Sequence, residues 1–210
     1  PSAKLSLDDV KKLRFVEDVL TEKPGETTLL FGPHSLDKTT SFYAEALKTW
    51  IIYGGHAIIL EQNPTPFSEN VLNCGIGFIK ANQPHWSRWA ANQVKHTDRA
   101  DIVNPQHPVF AELSEDDMRW WNGDSFLAHC YLSVKTAGKR DTVLSRIGNG
   151  LAEDELMPVQ YDYIEPGYSI IMMERNIGKG AILVSSMLVG EKSSNDPIAA
   201  KLLANLLAFY

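Results

Sequence analysis

The stretch Gly32-Pro33-His34-Ser35-Leu36-Asp37-Lys38-Thr39 lies between an apolar run and a helical pattern, where a phosphate-binding loop would lie. Gly32, Lys38 and Thr39 fall at the first glycine, lysine and hydroxyl positions of G-x-x-x-x-G-K-[ST]. Such a loop works by aiming backbone N–H groups at phosphate, with lysine adding positive charge. Here the second glycine is Asp37, and a carboxylate about 4 Å from a phosphate charge costs roughly 1–4 kcal/mol, depending on the local dielectric. Pro33 removes a further donor. A helix start with polar caps is the preferred reading, and a small-ligand or phosphate module is the alternative.

Cys74, in Asn73-Cys74-Gly75-Ile76-Gly77, suggests a nucleophile on a sharp turn. The glycines of such an elbow sit two before and two after the nucleophile, and here those positions are Leu72 and Ile76. A catalytic thiol also needs a histidine base held by a third group. His85, His96 and His107 are available, none in a recognisable setting. A structural thiol is preferred, with a cysteine-dependent hydrolase or amidotransferase as the alternative. The histidines and carboxylates form no metal-binding pattern, so neither a metal nor a cofactor is expected.

His85, Trp86, Arg88 and Trp89 place flat aromatic faces beside hydrogen-bonding groups, a combination that suits sugar rings. The plainer alternative packs both tryptophans onto their own or a neighbouring domain. Trp120-Trp121 is similar, with one ring expected in the core and the other at a surface or interface. Trp121 is kept as a candidate contact residue.

These residues need elements to hold them. Thr28 to Phe31 and Ala57 to Leu60 read as strands on either side of a helix whose apolar face carries Tyr43, Leu47, Trp50 and Ile51. Thr39, Thr40 and Ser41 could cap its start, and Gly54-Gly55 ends it where a left-handed backbone is needed. Short turns between strand, helix and strand favour a right-handed βαβ unit with parallel strands. Before it, residues 1–26 read as a leading amphipathic helix and linker; after it, 63–104 reads as a long irregular insertion. Ser114 should cap a short acidic helix, and Ser125 to Val134 and Asp141 to Ile147 are candidate strands. Ile170 to Met173 and Ala181 to Val184 flank a glycine-containing turn, a hairpin signal. A closing helix opens at Asn195-Asp196-Pro197 and is apolar enough to be buried on the sheet.

At 210 residues the chain suits one α/β domain. A formal charge of −6 weighs against nucleic acid and anionic membrane as main partners. No apolar run approaches the roughly 20 residues of a membrane helix. Cys74 and Cys130 fit either a disulfide or two thiols, the second being plainer. The chain starts at Pro1 and is expected to be a domain cut from a longer polypeptide.

Three segments together resemble a known family. LKTWIIYGGHAIILEQ (47–62) is similar to the helix, double glycine and strand of class I glutamine amidotransferase-like domains. HPVFAELSEDDMRWWNGD (107–124) and GKGAILVSSMLVGEKSSNDPIAAKLLANLLAF (178–209) resemble domains of that fold near the C-termini of family 2-type, β-galactosidase-like glycoside hydrolases. The resemblance implies a flavodoxin-like three-layer α/β sandwich, with a mostly parallel sheet, a C-terminal antiparallel hairpin and a closing helix. It also implies lost chemistry. The position matching the amidotransferase cysteine reads Glu61-Gln62-Asn63, and the stretch matching the histidine and glutamate reads Ser186-Met187-Leu188-Val189-Gly190. The expectation is a non-catalytic accessory or oligomerisation domain of a multidomain glycoside hydrolase. Its partners would be other domains of the same polypeptide, a second copy or carbohydrate. It would be exported or periplasmic if the parent is bacterial, by analogy alone.

Overall fold

The computed structural model describes residues 16–80, 99–123, 126–134, 141–148 and 168–209. Strand β1 (Thr28–Phe31) and strand β2 (His56–Ile59) pair in parallel, as the short strand–helix–strand spacing predicts. The leading helix is described only from α1 (Val16–Thr21) onward. Between β1 and β2 the single helix of the sequence reading is broken into α2 (Lys38–Phe42) and α3 (Ala44–Ile52), meeting at Tyr43. Asp37, rather than the hydroxyls of Thr39 to Ser41, caps α2: its Oδ1 accepts the Thr40 N–H at 2.9 Å. At the other end Gly54 N–H bonds to Ile51 O and Gly55 N–H to Trp50 O, with Gly54 at φ 119°. This is the six-to-one and five-to-two closure that glycine makes cheap.

Strands β3 (Ile76–Lys80) and β5 (Cys130–Val134) form a separate antiparallel pair. β3 lies inside the insertion expected to be irregular. Its alternation is hidden by Gly77, whose missing Cβ makes room for the Glu69 carbonyl oxygen, 2.1 Å from where a Cβ would stand. Strand β4 (Asp101–Ile102) borders β6 (Asp141–Gly148), and β6 borders β7 (Tyr168–Ile177). β7 turns through Gly178-Lys179 into β8 (Gly180–Ser185), the expected hairpin. Helices α4 (Val189–Lys192) and α5 (Pro197–Phe209) close the chain. Asp196 Oδ1 accepts the Ile198 and Ala199 N–H groups at 2.8 and 2.9 Å, so the α5 start is capped where Pro197 predicts it.

The larger sheet runs β1-β2-β8-β7-β6-β4. β1, β2 and β8 are mutually parallel, and β6, antiparallel to β7, points the same way. The fold is therefore mixed α/β, with most strands of its main sheet sharing one direction. Side chains leave the two faces alternately. Ile58 and Leu183 pack with Leu202 and Leu206 of α5. Ala57, Ile59, Ile182 and Val184 pack with Leu47, Trp50 and Ile51 of α3 and with Phe78 and Leu132 of the small sheet. The short acidic helix at Glu115–Asp117 is a 3-10 turn, with Asp117 Oδ2 accepting from Ser114 N and Oγ at 2.8 and 2.7 Å.

Candidate functional site

β1, β2 and β8 end at one edge of the sheet, and the chain leaving each of them bounds a common cleft of about 340 Å³. Clefts outside the carboxyl ends of parallel strands are the usual ligand positions in α/β sheets. The segment after β1 supplies His34, that after β2 supplies Glu61 and Asn63, and that after β8 supplies Glu191 from α4. His129 and Cys130, at the entry to β5, form another wall.

Gln62 fixes this edge. Its Nε2 donates to Gly32 O at 2.8 Å and Leu60 O at 3.0 Å, and its Oε1 accepts from Leu36 N at 2.9 Å. The side chain thus splints the segment after β1 to the end of β2. The His34 N–H, at φ 53°, donates to Glu61 O at 2.9 Å, and the His34 ring meets Glu191 Oε1 through Nε2 at 2.5 Å. Both of those side chains are roughly two-fifths exposed.

Glu61 is different. Only 2 % exposed, it accepts the Glu191 N–H on Oε1 at 2.6 Å, while Oε2 is buried without a hydrogen-bond partner among the described residues. Burial pushes its pKa up, opposed by backbone N–H groups around Glu191 and reinforced by the Glu191 charge. Gly190 is needed beside it, since a Cβ there would stand 2.3 Å from Pro33 Cγ and 3.0 Å from Glu61 Oε1.

The surroundings of the cleft thiol disfavour its thiolate. Cys130 Sγ donates to Gln62 O at 3.4 Å, and burial, with the Glu61 charge adding, pushes its pKa up to about 12. A reactive cysteine needs the opposite surroundings, positive and partly open. Cys74, the alternative from sequence, belongs to the same core cluster as Cys130 but does not line this cleft. Its Sγ donates to Leu72 O at 3.2 Å, and burial pushes its pKa up to about 11. Both thiols are free, so no disulfide joins them.

Of the phosphate-loop candidates, Gly32 has a structural role. Gly32 O accepts from Ser35 N, Ser35 Oγ and Gln62 Nε2, so the loop turns its carbonyl inward. Lys38 and Thr39 are exposed on α2, whose start Asp37 already satisfies. The aromatic candidates divide. Trp121 is a correction: its ring is 1 % exposed in the core, with Nε1 donating to Asp117 O at 3.1 Å, so it offers no face to a ligand. Trp120, at φ 49°, is the exposed member at 66 %. His85, Trp86, Arg88 and Trp89 lie outside the described residues. Among the described residues no cluster of His, Cys, Asp and Glu could hold a metal ion, and no helix is long and apolar enough to cross a membrane.

No family model and no curated protein matches this sequence. Solved structures do show similarity. The cytoplasmic protein STM3548 from Salmonella typhimurium is 12 % identical, with a TM-score of 0.47, over 95 % of this chain and 76 % of that one. The exo-beta-1,4-mannosidase Op5Man5 from Opitutaceae bacterium strain TAV5 is 10 % identical, with a TM-score of 0.38, over 89 % of this chain and 26 % of that one.

The sequence reading named Glu61-Gln62-Asn63 only as the place where a thiol was missing. It did not gather His34, His129, Cys130 and Glu191 around that position. For His34, Glu61 and Glu191 the available signal was positional: each follows an apolar run whose carboxyl end faces the same edge once the strands are parallel, whereas His129 and Cys130 come from the entry to β5.

Proposed function

We propose that the chain is a class I glutamine amidotransferase-like domain, of flavodoxin-like sandwich type, without thiol chemistry of its own. It serves as an accessory or oligomerisation domain of a multidomain, β-galactosidase-like glycoside hydrolase, packing on neighbouring domains. The observation that carries the non-catalytic part is Cys130, protonated at neutral pH and donating to Gln62 O beside a buried carboxyl. Burial and the Glu61 charge both disfavour the thiolate that a carbonyl-attacking cysteine must supply.

Core packing on both faces of the sheet supports the sandwich reading, and the three resembling sequence segments support the parent enzyme class. Phe42, Tyr53 and Trp120 are each more than half exposed and offer aromatic area for packing on a neighbour. Trp86 and Trp89 are further contact candidates by residue type.

Hydrogen exchange on the parent polypeptide and on this chain alone tests the reading. Slower exchange in the parent around Phe42, Trp120 or the Trp86–Trp89 stretch is expected. Equal exchange throughout would contradict a packing role. Hydrolysis of glutamine or activated esters by the chain, abolished by Cys130→Ser or Cys74→Ser, would contradict the absence of thiol chemistry.

A further inference from the structure

A buried carboxyl oxygen with no partner is expensive, and native structures keep few of them. Glu61 Oε2 is such an atom, on a side chain 2 % exposed that lines the cleft. The other groups there say what would satisfy it. Gln62 spends its amide on Gly32, Leu60 and Leu36, Ser186 Oγ donates to Ile171 O, and Cys130 Sγ donates to Gln62 O. Also lining the cleft beside Glu61 are Asn63, His129 from the entry to β5, and Glu191 of α4, whose Oε1 meets His34 Nε2. The wall therefore carries carboxyl oxygens and, among the described lining residues, no lysine or arginine to attract a phosphate or carboxylate ligand. It carries no Trp, Tyr or Phe among the described lining residues on which a sugar ring could stack.

We propose that this cleft binds a small molecule through a protonated primary amine, seated between the carboxylates of Glu61 and Glu191. An ammonium group brings three donors and the countercharge that a buried carboxylate requires. At about 340 Å³ the cleft suits a small metabolite. Burial holds the free Glu61 carboxyl toward its protonated form, so amine binding shifts it toward ionisation. Glu191, His34, His129 and Cys130 are the titratable groups facing it, and of these Glu191 and Cys130 couple to its charge. The inference does not depend on the accessory-domain reading, because it needs only the cleft.

Titration calorimetry of the whole chain with ethanolamine tests it, with ethylene glycol as a neutral probe of the same size. Ethanolamine is expected to bind at neutral pH, read as a saturable heat that ethylene glycol does not give. Affinity should fall by about tenfold or more in Glu61→Gln, a variant whose fold is checked by circular dichroism. If that variant does not fold, Glu191→Gln, on a side chain 41 % exposed, is expected to weaken binding in the same direction. No binding of ethanolamine, equal binding of ethylene glycol, or unchanged affinity in the folded variant would each overturn the proposal.

Discussion

Glu61 Oε1 accepts the backbone N–H of Glu191 at 2.6 Å, joining the end of β2 to helix α4 across 130 positions of sequence. Through that contact the ends of two parallel strands share one buried carboxyl, and the cleft takes its shape from it.

The contact makes stability depend on pH in a stated direction. Glu61 is raised in the folded protein from its ordinary 4.5, so the folded state holds the proton more tightly. Its contribution is fully present below 4.5 and is lost as pH rises through the folded value. Urea denaturation across the acid-to-neutral range should therefore show a shallower loss with rising pH in Glu61→Gln than in the parent chain. Parallel profiles would contradict the burial argument.

Gln62 is expected to matter for stability beyond its size. Gln62→Leu removes the side-chain acceptor of Leu36 N and the tie from β2 to Gly32 O, and should cost about 1–3 kcal/mol in chemical denaturation. A cost near zero would mean that the segment after β1 is not splinted as described.

Asp37 separates the structural from the phosphate-binding reading of its loop. Asp37→Ala should cost about 0.5–2 kcal/mol through loss of the α2 cap. Inorganic phosphate should leave the melting temperature of both forms unchanged. A phosphate-dependent rise in either form would restore the loop as a ligand site.

Arg175 ties the main sheet to the turn at Cys74. It is 8 % exposed, grips Asp141 through Nε and Nη2 at 2.8 and 2.5 Å, and donates from Nη1 to Cys74 O at 2.5 Å. Asp141→Asn should destabilise by about 1.5–3 kcal/mol, since it removes the charge from two hydrogen bonds to a buried guanidinium. Denaturation midpoints measure this, and a change within error would show that the pair is not buried in solution.

These contacts also show what could be read without coordinates. The βαβ unit, the hairpin and the capped closing helix were legible because each is written locally. Glycines at the α3 end, continuous apolar runs on either side of Gly178 and Asp-Pro before α5 act within a few residues. β3 was not legible, because Gly77 is demanded by Glu69 packing against it and interrupts the pattern that marks a strand. The break at Tyr43 was missed because Lys38 to Phe42 buries only Thr40, so no apolar periodicity marks a separate helix ahead of α3. Asp37 was read as an obstacle to phosphate, and the same carboxylate turned inward is the cap. The cleft depends on contacts such as that of Cys130 with Gln62, 68 positions apart, which no local spacing encodes.

Alkylation of Cys130 by iodoacetamide, followed residue by residue by mass spectrometry, tests the absence of thiol chemistry most directly. With its pKa pushed to about 12, Cys130 in the folded chain should stay unlabelled at neutral pH and react once the chain is unfolded in urea. Rapid, stoichiometric labelling of native Cys130 at neutral pH would contradict it.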